Sequence, residues 1–271
     1  MPELPEVETT RRGIEPHIVG KTLTGVVVRE RRLRWPVPRQ LHRSVAGQTV
    51  QSLQRRGKYL LLGLSTGTVI IHLGMSGSLR ILNCKTSPQK HDHVDFVFQN
   101  GQCLRLRDPR RFGTVLFTRQ DPLEHKLLAD LGPEPLGHHF SGDYLFRQSR
   151  GKKVAVKLFI MNSKIVVGVG NIYANEALFL AGIHPKRSAG RLSAERCTRL
   201  AQAIKSVLRA AIKAGGTTLR DFTAEDGRPG YFQQQLHAYG KAGQPCSRCG
   251  TMIKHITLGQ RATYYCPRCQ T

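Results

Sequence analysis

The first residues of the chain, MPELPEVETTRR, place a proline next to closely spaced acidic side chains. Removal of the initiator methionine would leave Pro2 with a secondary amine at the N-terminus. A free α-amino group has a pKa of about 7.7–8.0, against about 10.4 for lysine, so more of it is unprotonated and nucleophilic at neutral pH. Such an amine condenses with an aldehyde carbon to give a charged iminium, and Glu3 beside it could transfer protons.

The same stretch also has a simpler interpretation, as an ordinary helix start. Proline is favoured in the first turn of a helix, and Glu3 and Glu6 would lie near the positive end of the helix dipole. That dipole would lower the pKa of the Pro2 amine, whereas the two carboxylates would oppose it. From these residues alone, a catalytic amine and a helix start both remain open.

Four of the cysteines form two C-x-x-C pairs, with residues 250–265 between the pairs: Cys246, Cys249, Cys266 and Cys269. In a chain without a secretory signal, this pattern indicates a metal site rather than a disulfide framework. Four thiolates suit tetrahedral Zn²⁺ and leave no open position, so the pattern predicts one structural zinc ion. A redox dithiol is the alternative, and the second matched pair weighs against it.

The charge of the chain indicates a polyanionic partner. Its 271 residues include 42 Lys+Arg against 18 Asp+Glu, a formal net charge of +24. Nucleic acid is the expected partner, with ribosome-associated and acidic-lipid-binding proteins as alternatives. No apolar run reaches the ~18 residues of a membrane span, and the N-terminus lacks a signal-peptide layout, so we expect a cytoplasmic protein without a membrane partner.

The elements that must position these residues fall into a β-rich part and a helical part. Short alternating runs from about Thr22 to Phe117 predict an antiparallel sandwich or barrel, with a hairpin at Asn100-Gly101. The stretch LGPEPLGHHFSG marks a boundary, and helical periodicity follows it. One helix is expected to begin after Ser193 as N-cap, and a shorter one after Asn171 as N-cap.

Three short motifs each allow a functional and a structural interpretation. In GVGN, the glycines before Asn171 could bring backbone amides close to a phosphate, or could form a tight turn into a packed helix. In DPRRFG, Arg110 and Phe112 could enter a base stack, or could form a solvated turn. Met75, between two glycines in HLGMSGSL, could likewise be a core side chain.

Read together, these pieces resemble the formamidopyrimidine-DNA glycosylase family, the bacterial 8-oxoguanine DNA glycosylases. The resemblance runs from residue 2 to residue 269 and is carried in order by PELPEVET, RRGKYLL, KHDH, DPRRFG, GVGNIYANE, QRATYYC and the cysteine pairs. The sister family of endonuclease VIII usually has glycine where Leu4 stands here. The motif PELPEV therefore favours the purine-specific branch.

The resemblance implies an α+β fold in three parts. Residues 1–131 would form an N-terminal helix and antiparallel β-sandwich, the catalytic domain. Residues 132–240 would form a helical domain with a DNA-binding helix–two-turns–helix motif, and residues 241–271 a four-cysteine zinc-finger β-hairpin. It also implies a monomer in the bacterial cytoplasm, associated with the nucleoid through DNA.

By resemblance, Pro2 is the Schiff-base nucleophile and Glu3 the proton donor. Lys58 matches the lysine that assists β-elimination, and Arg261 the zinc-finger arginine associated with δ-elimination. The remaining DNA-binding positions are His91, Arg110, Lys152, Lys153 and Asn171, together with Met75, Arg110 and Phe112, which would fill the gap left by the flipped nucleotide. The segment 217–231 is similar to the loop that covers the extruded base.

One departure from the family pattern lies in VKLFIMNSK, where Leu158 stands at a position at which proline is common. It leaves open which of Lys152, Lys153 and Lys157 contacts DNA.

The implied function is base excision repair. A bifunctional glycosylase and abasic-site lyase would excise 8-oxoguanine and formamidopyrimidines from double-stranded DNA through a Pro2 Schiff base and then carry out β,δ-elimination. Two alternatives remain: an endonuclease VIII-like enzyme acting on oxidised pyrimidines, and a zinc-stabilised, non-catalytic binder of damaged DNA or structured RNA.

Overall fold

The computed structural model describes residues 2–216 and 236–271 of the chain. These residues divide into two compact units, and the chain passes from the first to the second between Ala129 and Asp130. Within the described ranges, no helix is both long enough and apolar enough to cross a membrane.

The first unit contains helix α1 (Leu4–Ile18), the short helix α2 (Leu41–Val45) and two four-stranded antiparallel sheets. One sheet has the order β1 (Leu23–Val28), β6 (Asp92–Phe98), β7 (Gln102–Arg107), β5 (Ser78–Asn83). The other has the order β2 (Val50–Arg56), β3 (Tyr59–Leu64), β4 (Gly67–His72), β8 (Thr114–Thr118). The expected antiparallel sandwich is confirmed.

The core of this unit follows from residue alternation. Leu60, Leu62 and Leu64 alternate along β3, and Val94 and Phe96 do so along β6, so each strand turns one apolar face inward. Side chains from both sheets and from α1 join in one buried cluster. Burial of this apolar surface stabilises the unit and gives the loops at the strand ends a rigid base.

The hairpin expected at Asn100-Gly101 connects β6 to β7. Gly101 has a φ of +79°, which glycine adopts without strain, and the Asn100 side-chain oxygen accepts a hydrogen bond of 3.1 Å from the Gln102 amide. The turn therefore has the chemistry that the dipeptide predicted.

Among the described residues, the second unit contains four α-helices and a β-hairpin. The helices are α3 (Gly142–Ser149), α4 (Val156–Met161), α5 (Asn171–Ala181) and α6 (Ala194–Lys213). Helices α3 and α5 both pack on α6, whose buried stripe includes Leu200, Ile204 and Leu208. The hairpin pairs β9 (Lys254–Leu258) with β10 (Arg261–Tyr265). Ser193 caps α6 as expected, accepting a 3.2 Å hydrogen bond from the Arg196 amide.

The prediction that Asn171 is the N-cap of α5 is wrong. Gly170 holds the N-cap position in an extended conformation, and Asn171 is the first helical residue. The reason is that the Asn171 side-chain amide donates a 3.1 Å hydrogen bond to the Ala262 carbonyl of β10, and so does not cap its own helix.

Candidate functional site

Helix α1 begins directly after Pro2 and Glu3, and both residues are buried. Glu3 is the N-cap and forms a capping box with Glu6, whose carboxylate accepts a 2.8 Å hydrogen bond from the Glu3 backbone amide. This box satisfies amides that a helix start would otherwise leave without partners. The acids therefore do start the helix, and in doing so they fix a carboxylate beside Pro2 at the positive end of the helix dipole.

Glu8, further along α1, connects this helix to the turn that carries Lys58. Its carboxylate accepts a 3.0 Å hydrogen bond from Arg55, and a second Arg55 nitrogen donates to the Gly57 carbonyl at 3.0 Å. Burial works to raise the pKa of Glu8, but hydrogen bonds from Arg11, Arg12 and Arg55 outweigh it and hold the pKa at about 2. Lys58 follows Gly57 between β2 and β3, so one buried carboxylate links the Pro2 helix to the Lys58 turn.

His72, at the end of β4, is a second feature near Lys58. Its Nδ1 accepts a 3.0 Å hydrogen bond from the Gly74 amide, and its ring lies 4.7 Å from that of Tyr59. Burial, and then the positive charges of Lys58 and Arg34, lower the pKa of His72 to about 4. The ring is therefore neutral at pH 7 and carries its proton on Nε2, as a hydrogen-bond donor.

Asp108 organises the loops that carry Met75, Arg110 and Phe112. It is fully buried, and its carboxylate accepts hydrogen bonds from the Ser76 hydroxyl (3.0 Å) and the Gly113 amide (2.7 Å). Ser76 follows Met75 and Gly113 follows Phe112, so the two loops share one anchor. The loops also meet at Gly74, where an added Cβ would lie 2.4 Å from the Phe112 carbonyl carbon.

The same aspartate also positions His91. The Asp108 amide donates a 3.0 Å hydrogen bond to the His91 carbonyl, and the Asp108 carbonyl lies 2.8 Å from Nε2 of His93. Arg110 places its guanidinium carbon 5.0 Å from the centre of the Phe112 ring, and 39% of Phe112 is exposed. Met75, His91, Arg110 and Phe112 thus converge on one rigid anchor, and an aromatic ring stands out to solvent with a cation over its face.

In the second unit, the four predicted cysteines lie together. Their Sγ atoms are all within 4.8 Å of one another, with Cys246–Cys269 at 3.9 Å and Cys249–Cys266 at 3.5 Å. Four sulfurs around a tetrahedral zinc ion, each ~2.3 Å from it, would be about 3.8 Å apart, so the donor set fits Zn²⁺. The amides of Arg248 and Cys269 point at the first sulfur of each pair, at 3.4 Å. One structural zinc site is confirmed.

Polar side chains of α4 and α5 hold strand β10. The buried Lys157 ammonium donates to the Ala262 carbonyl (2.8 Å) and to the Thr263 hydroxyl (2.7 Å). The Asn175 oxygen accepts a 2.8 Å hydrogen bond from the Tyr264 amide. With the Asn171 contact to Ala262 described above, these bonds fix the strand that begins with the exposed Arg261.

Glu176 anchors the chain that enters the zinc module. Its carboxylate accepts hydrogen bonds of 2.8–2.9 Å from three successive backbone amides, those of His237, Ala238 and Tyr239. The side chain is buried, so these bonds form where water does not compete for them. Helix α5 therefore holds the module at its entry through Glu176 and at β10 through its asparagines.

The three lysines near α4 differ in their exposure to solvent. Lys152 and Lys153 are exposed between α3 and α4, whereas Lys157 is buried against β10. The Lys152 carbonyl accepts hydrogen bonds from the Gly190 amide (2.8 Å) and the Ser188 hydroxyl (2.9 Å), so its backbone is fixed while its side chain faces solvent.

Family models match the chain along most of its length. The formamidopyrimidine-DNA glycosylase N-terminal domain matches residues 1–115, the formamidopyrimidine-DNA glycosylase H2TH domain residues 131–223, and a zinc finger found in FPG and IleRS residues 243–271. Formamidopyrimidine-DNA glycosylases from Nitrosococcus oceani and Methylococcus capsulatus are each 60% identical over 270 residues and are covered, like this chain, at 100%. The chain belongs to the formamidopyrimidine-DNA glycosylase family.

Solved structures of this family agree with the fold. A complex between the Lactococcus lactis enzyme and DNA containing an abasic site matches with a TM-score of 0.91 at 35% identity, covering 99% of both chains. The Thermus thermophilus protein matches with a TM-score of 0.89 at 37% identity, covering 99% of this chain and 98% of that one. Members of the family are base excision repair glycosylases that act on oxidised purines, and abasic-site lyase activity is characteristic of them.

The residues predicted from the sequence lie in both units, in several separate clusters. Pro2 and Glu3 share one helix start, Lys58 lies on a turn tied to that helix, and Met75, His91, Arg110 and Phe112 share Asp108. Asn171 binds β10 at Ala262, next to Arg261, and Lys152 and Lys153 lie on a separate exposed segment. The expected base-covering loop, 217–231, lies outside the described residues.

Sequence reasoning missed five residues that hold these groups in place, Glu8, His72, Asp108, Asn175 and Glu176, and it considered Lys157 only as a candidate DNA contact. Asp108 stands inside DPRRFG, and an aspartate before proline is a turn signal that could have marked it. His72 directly precedes LGMSG, but nothing in the sequence places it near Lys58. Glu176 and Asn175 lie in GVGNIYANE and read as ordinary polar positions of a helix.

Proposed function

We propose that this chain excises oxidised purines, 8-oxoguanine and formamidopyrimidines, from duplex DNA and then cleaves the strand at the abasic site, with Pro2 as nucleophile. The observation that carries the proposal is the N-terminus of α1, where buried Glu3 is fixed by the capping box beside Pro2. Family membership of the whole chain supports the substrate class. Removal of Met1 is required, because only then is the Pro2 nitrogen an amine.

The chemistry assigned to this site balances as follows. The Pro2 nitrogen forms a bond to C1′ while the bond from C1′ to the base breaks, and the base leaves with a proton. The sugar ring opens as O4′ takes a proton from Glu3, which leaves a cationic iminium between Pro2 and C1′. Loss of the C2′ proton expels the 3′ phosphate, and a second elimination expels the 5′ phosphate. Water then hydrolyses the iminium, which breaks the bond between C1′ and the Pro2 nitrogen, releases the sugar remnant as an aldehyde and regenerates the amine. Lys58 assists the first elimination and Arg261 the second.

The remaining residues bind and deform the DNA. His91, Arg110, Lys152, Lys153 and Asn171 contact the duplex, and the shared anchor at Asp108 supports a role for Met75, Arg110 and Phe112 in filling the space of the extruded nucleotide. The zinc ion, held by the four cysteines, stabilises the C-terminal hairpin, because so short a segment buries little apolar surface of its own. It takes no part in any bond-breaking step.

Borohydride trapping on a duplex with one 8-oxoguanine tests the nucleophile. A variant that carries one extra residue before Pro2 has an amide there, with no available lone pair, so trapping and strand cleavage should vanish. Binding to an abasic-site analogue should stay within about threefold, because one N-terminal residue changes few of the phosphate contacts that dominate affinity. The matched control removes the extension with a protease, which regenerates the amine and must restore trapping.

The outcomes separate the alternatives. Trapping by the blocked variant at the wild-type level would mean that a lysine forms the Schiff base. DNA binding without trapping or strand cleavage, in the blocked variant and in the protein with a free Pro2 amine alike, would favour a non-catalytic binder of damaged DNA. Faster excision from a thymine glycol duplex than from an 8-oxoguanine duplex would assign the chain to oxidised pyrimidines.

We further propose the three-part division at residues 1–131, 132–240 and 241–271, and that the enzyme works as a monomer on the nucleoid in the bacterial cytoplasm. The two compact units and the three family-model ranges support a division of this kind. The formal charge of +24 supports association with DNA.

A further inference from the structure

The turn between β9 and β10 holds a residue other than glycine, Gln260, at positive φ. Leu258 pairs with Arg261 across the hairpin, so only Gly259 and Gln260 form the turn. Both have positive φ, +53° and +59°, the geometry of a two-residue type I′ turn. Gln260 is not a residue that favours this region, so the turn depends on its surroundings to hold it.

Leu158 of α4 lies directly against this turn. A methyl group built on Gly259 would be 2.8 Å from Leu158 Cδ2 and 3.1 Å from Cδ1. Both distances are shorter than an ordinary carbon–carbon contact of about 3.5–4.0 Å, so the end of the Leu158 side chain fills the space where a side chain of residue 259 would be. A side chain at residue 259 would have to displace the end of the Leu158 side chain.

Arg261 lies between the turn and the part of β10 that forms hydrogen bonds with polar side chains of α4 and α5. On the C-terminal side of Arg261, residues 262–264 accept or donate hydrogen bonds with the side chains of Lys157, Asn171 and Asn175. Leu158 touches Gly259, on the other side. The backbone of Arg261 is thus fixed from both directions, while its side chain is exposed.

We propose that Leu158 is a positioning residue for Arg261. By packing against Gly259 it holds the strained turn and so sets the direction in which Arg261 leaves the hairpin. The inference rests on the role proposed above for Arg261 in the second elimination step. The aliphatic side chain of Leu158 cannot transfer a proton or bind a phosphate, so its effect on the second elimination would act through Arg261.

The test uses a duplex with one preformed abasic site, on which the products of β-elimination and of β,δ-elimination separate by gel. Leu158→Ala should lower the fraction of β,δ product by about tenfold, since small displacements of a catalytic group cost factors of this order or more. Leu158→Met, which keeps the volume, should retain most of it. Leu180→Ala, the same change at an exposed position of α5, should leave the ratio unchanged.

Two further measurements separate positioning from general damage. Zinc content and borohydride trapping should be wild-type in Leu158→Ala, because the cysteines and Pro2 are untouched. Loss of zinc would mean that Leu158 holds the module together rather than aiming Arg261, and would overturn the inference.

A pair of substitutions tests the contact itself. Gly259→Ala should lower the β,δ fraction because its methyl group displaces Leu158. In the double variant with Leu158→Ala the collision is gone, so the loss should be clearly smaller than the product of the two single losses. The strain of alanine at positive φ is present in both backgrounds and cancels in this comparison. Losses that multiply would show that the two residues act independently, against the inference.

Arg261→Ala is the reference variant against which the loss of β,δ product in Leu158→Ala is compared. If it lowers the β,δ fraction and Leu158→Ala does not, the inference fails while the proposed role of Arg261 stands. If Arg261→Ala itself leaves the product ratio unchanged, the role assigned to Arg261 falls, and the inference falls with it.

Discussion

His72 provides a quantitative test of the electrostatics around Lys58. The ring accepts a hydrogen bond at Nδ1 from Gly74, and burial together with the charges of Lys58 and Arg34 lowers its pKa to about 4 from 6.5. The difference of 2.5 between the two pKa values corresponds to at most about 3.4 kcal/mol, at about 1.36 kcal/mol per pKa unit. Solvent offsets part of this free energy, because His72 is not completely buried.

The sign follows from proton binding. Between pH 6.5 and 4 the unfolded chain has a protonated His72 and the folded protein a neutral one, so folding releases a proton. The free energy of unfolding therefore falls as the pH falls through this window. Other groups contribute too, so the quantity to measure is the difference between the wild type and His72→Gln. Denaturant unfolding should show the wild type losing about 1–3 kcal/mol relative to the variant between pH 7 and pH 4.

The contribution of Lys58 to the lowered pKa of His72 can be measured separately. Lys58→Met removes one positive charge and should raise the pKa of His72, but the value should stay below 6.5 because burial is the largest cause of the shift. Lys58→Arg keeps the charge and is the matched control. NMR titration of the His72 ring gives each value directly. A wild-type titration near 6.5, or an equal pKa in the Met and Arg variants, would refute this account of the site.

Three further perturbations have defined outcomes. Cys249→Ser should remove the zinc ion and weaken DNA binding, which metal analysis and fluorescence anisotropy would measure. Cys84→Ser, at an exposed and isolated cysteine, should do neither. Full DNA affinity in a metal-free variant would mean that the zinc module does not contact DNA. Arg261→Ala should make the slope of log K against log salt shallower by roughly one unit, and an unchanged slope would mean that Arg261 does not touch a phosphate. Glu8→Gln should destabilise the protein by about 2 kcal/mol at pH 7, because Arg55 loses a buried partner. Since the pKa of Glu8 is lowered from 4.5 to about 2, that difference should shrink as the pH falls through this range, and a constant difference would contradict the assignment.

The elements of the fold were predictable because local chemistry determines them. Alternation in β3 and β6, the Asn100-Gly101 turn and the Ser193 cap each depend on neighbours within a few residues. The zinc site was predictable for a related reason, since two matched C-x-x-C pairs with this spacing are typical of a structural zinc site. At Asn171 a local rule failed, because a partner 91 residues away on β10 competes for the side chain.

The supporting residues could not be predicted, because their partners are distant in sequence. Asp108 binds Ser76 across 32 residues, and Glu176 binds His237 across 61. A buried carboxylate and an exposed one look alike in a sequence, and only the fold decides which amides approach it. The arginines and aromatic residues of the motifs were recognisable from the sequence, but the buried residues that fix their positions were not.

The scarce acidic residues thus have a common role. Among the described residues, the buried charged side chains include seven carboxylates, Glu3, Glu6, Glu8, Asp92, Asp95, Asp108 and Glu176, but only two cations, Arg105 and Lys157. Burying acids in preference to bases leaves the surface more positive than the formal charge of +24 implies. Glu8, Asp108 and Glu176 each accept hydrogen bonds that fix a segment next to residues proposed to bind DNA. The carboxylates therefore organise segments of the basic surface from beneath it.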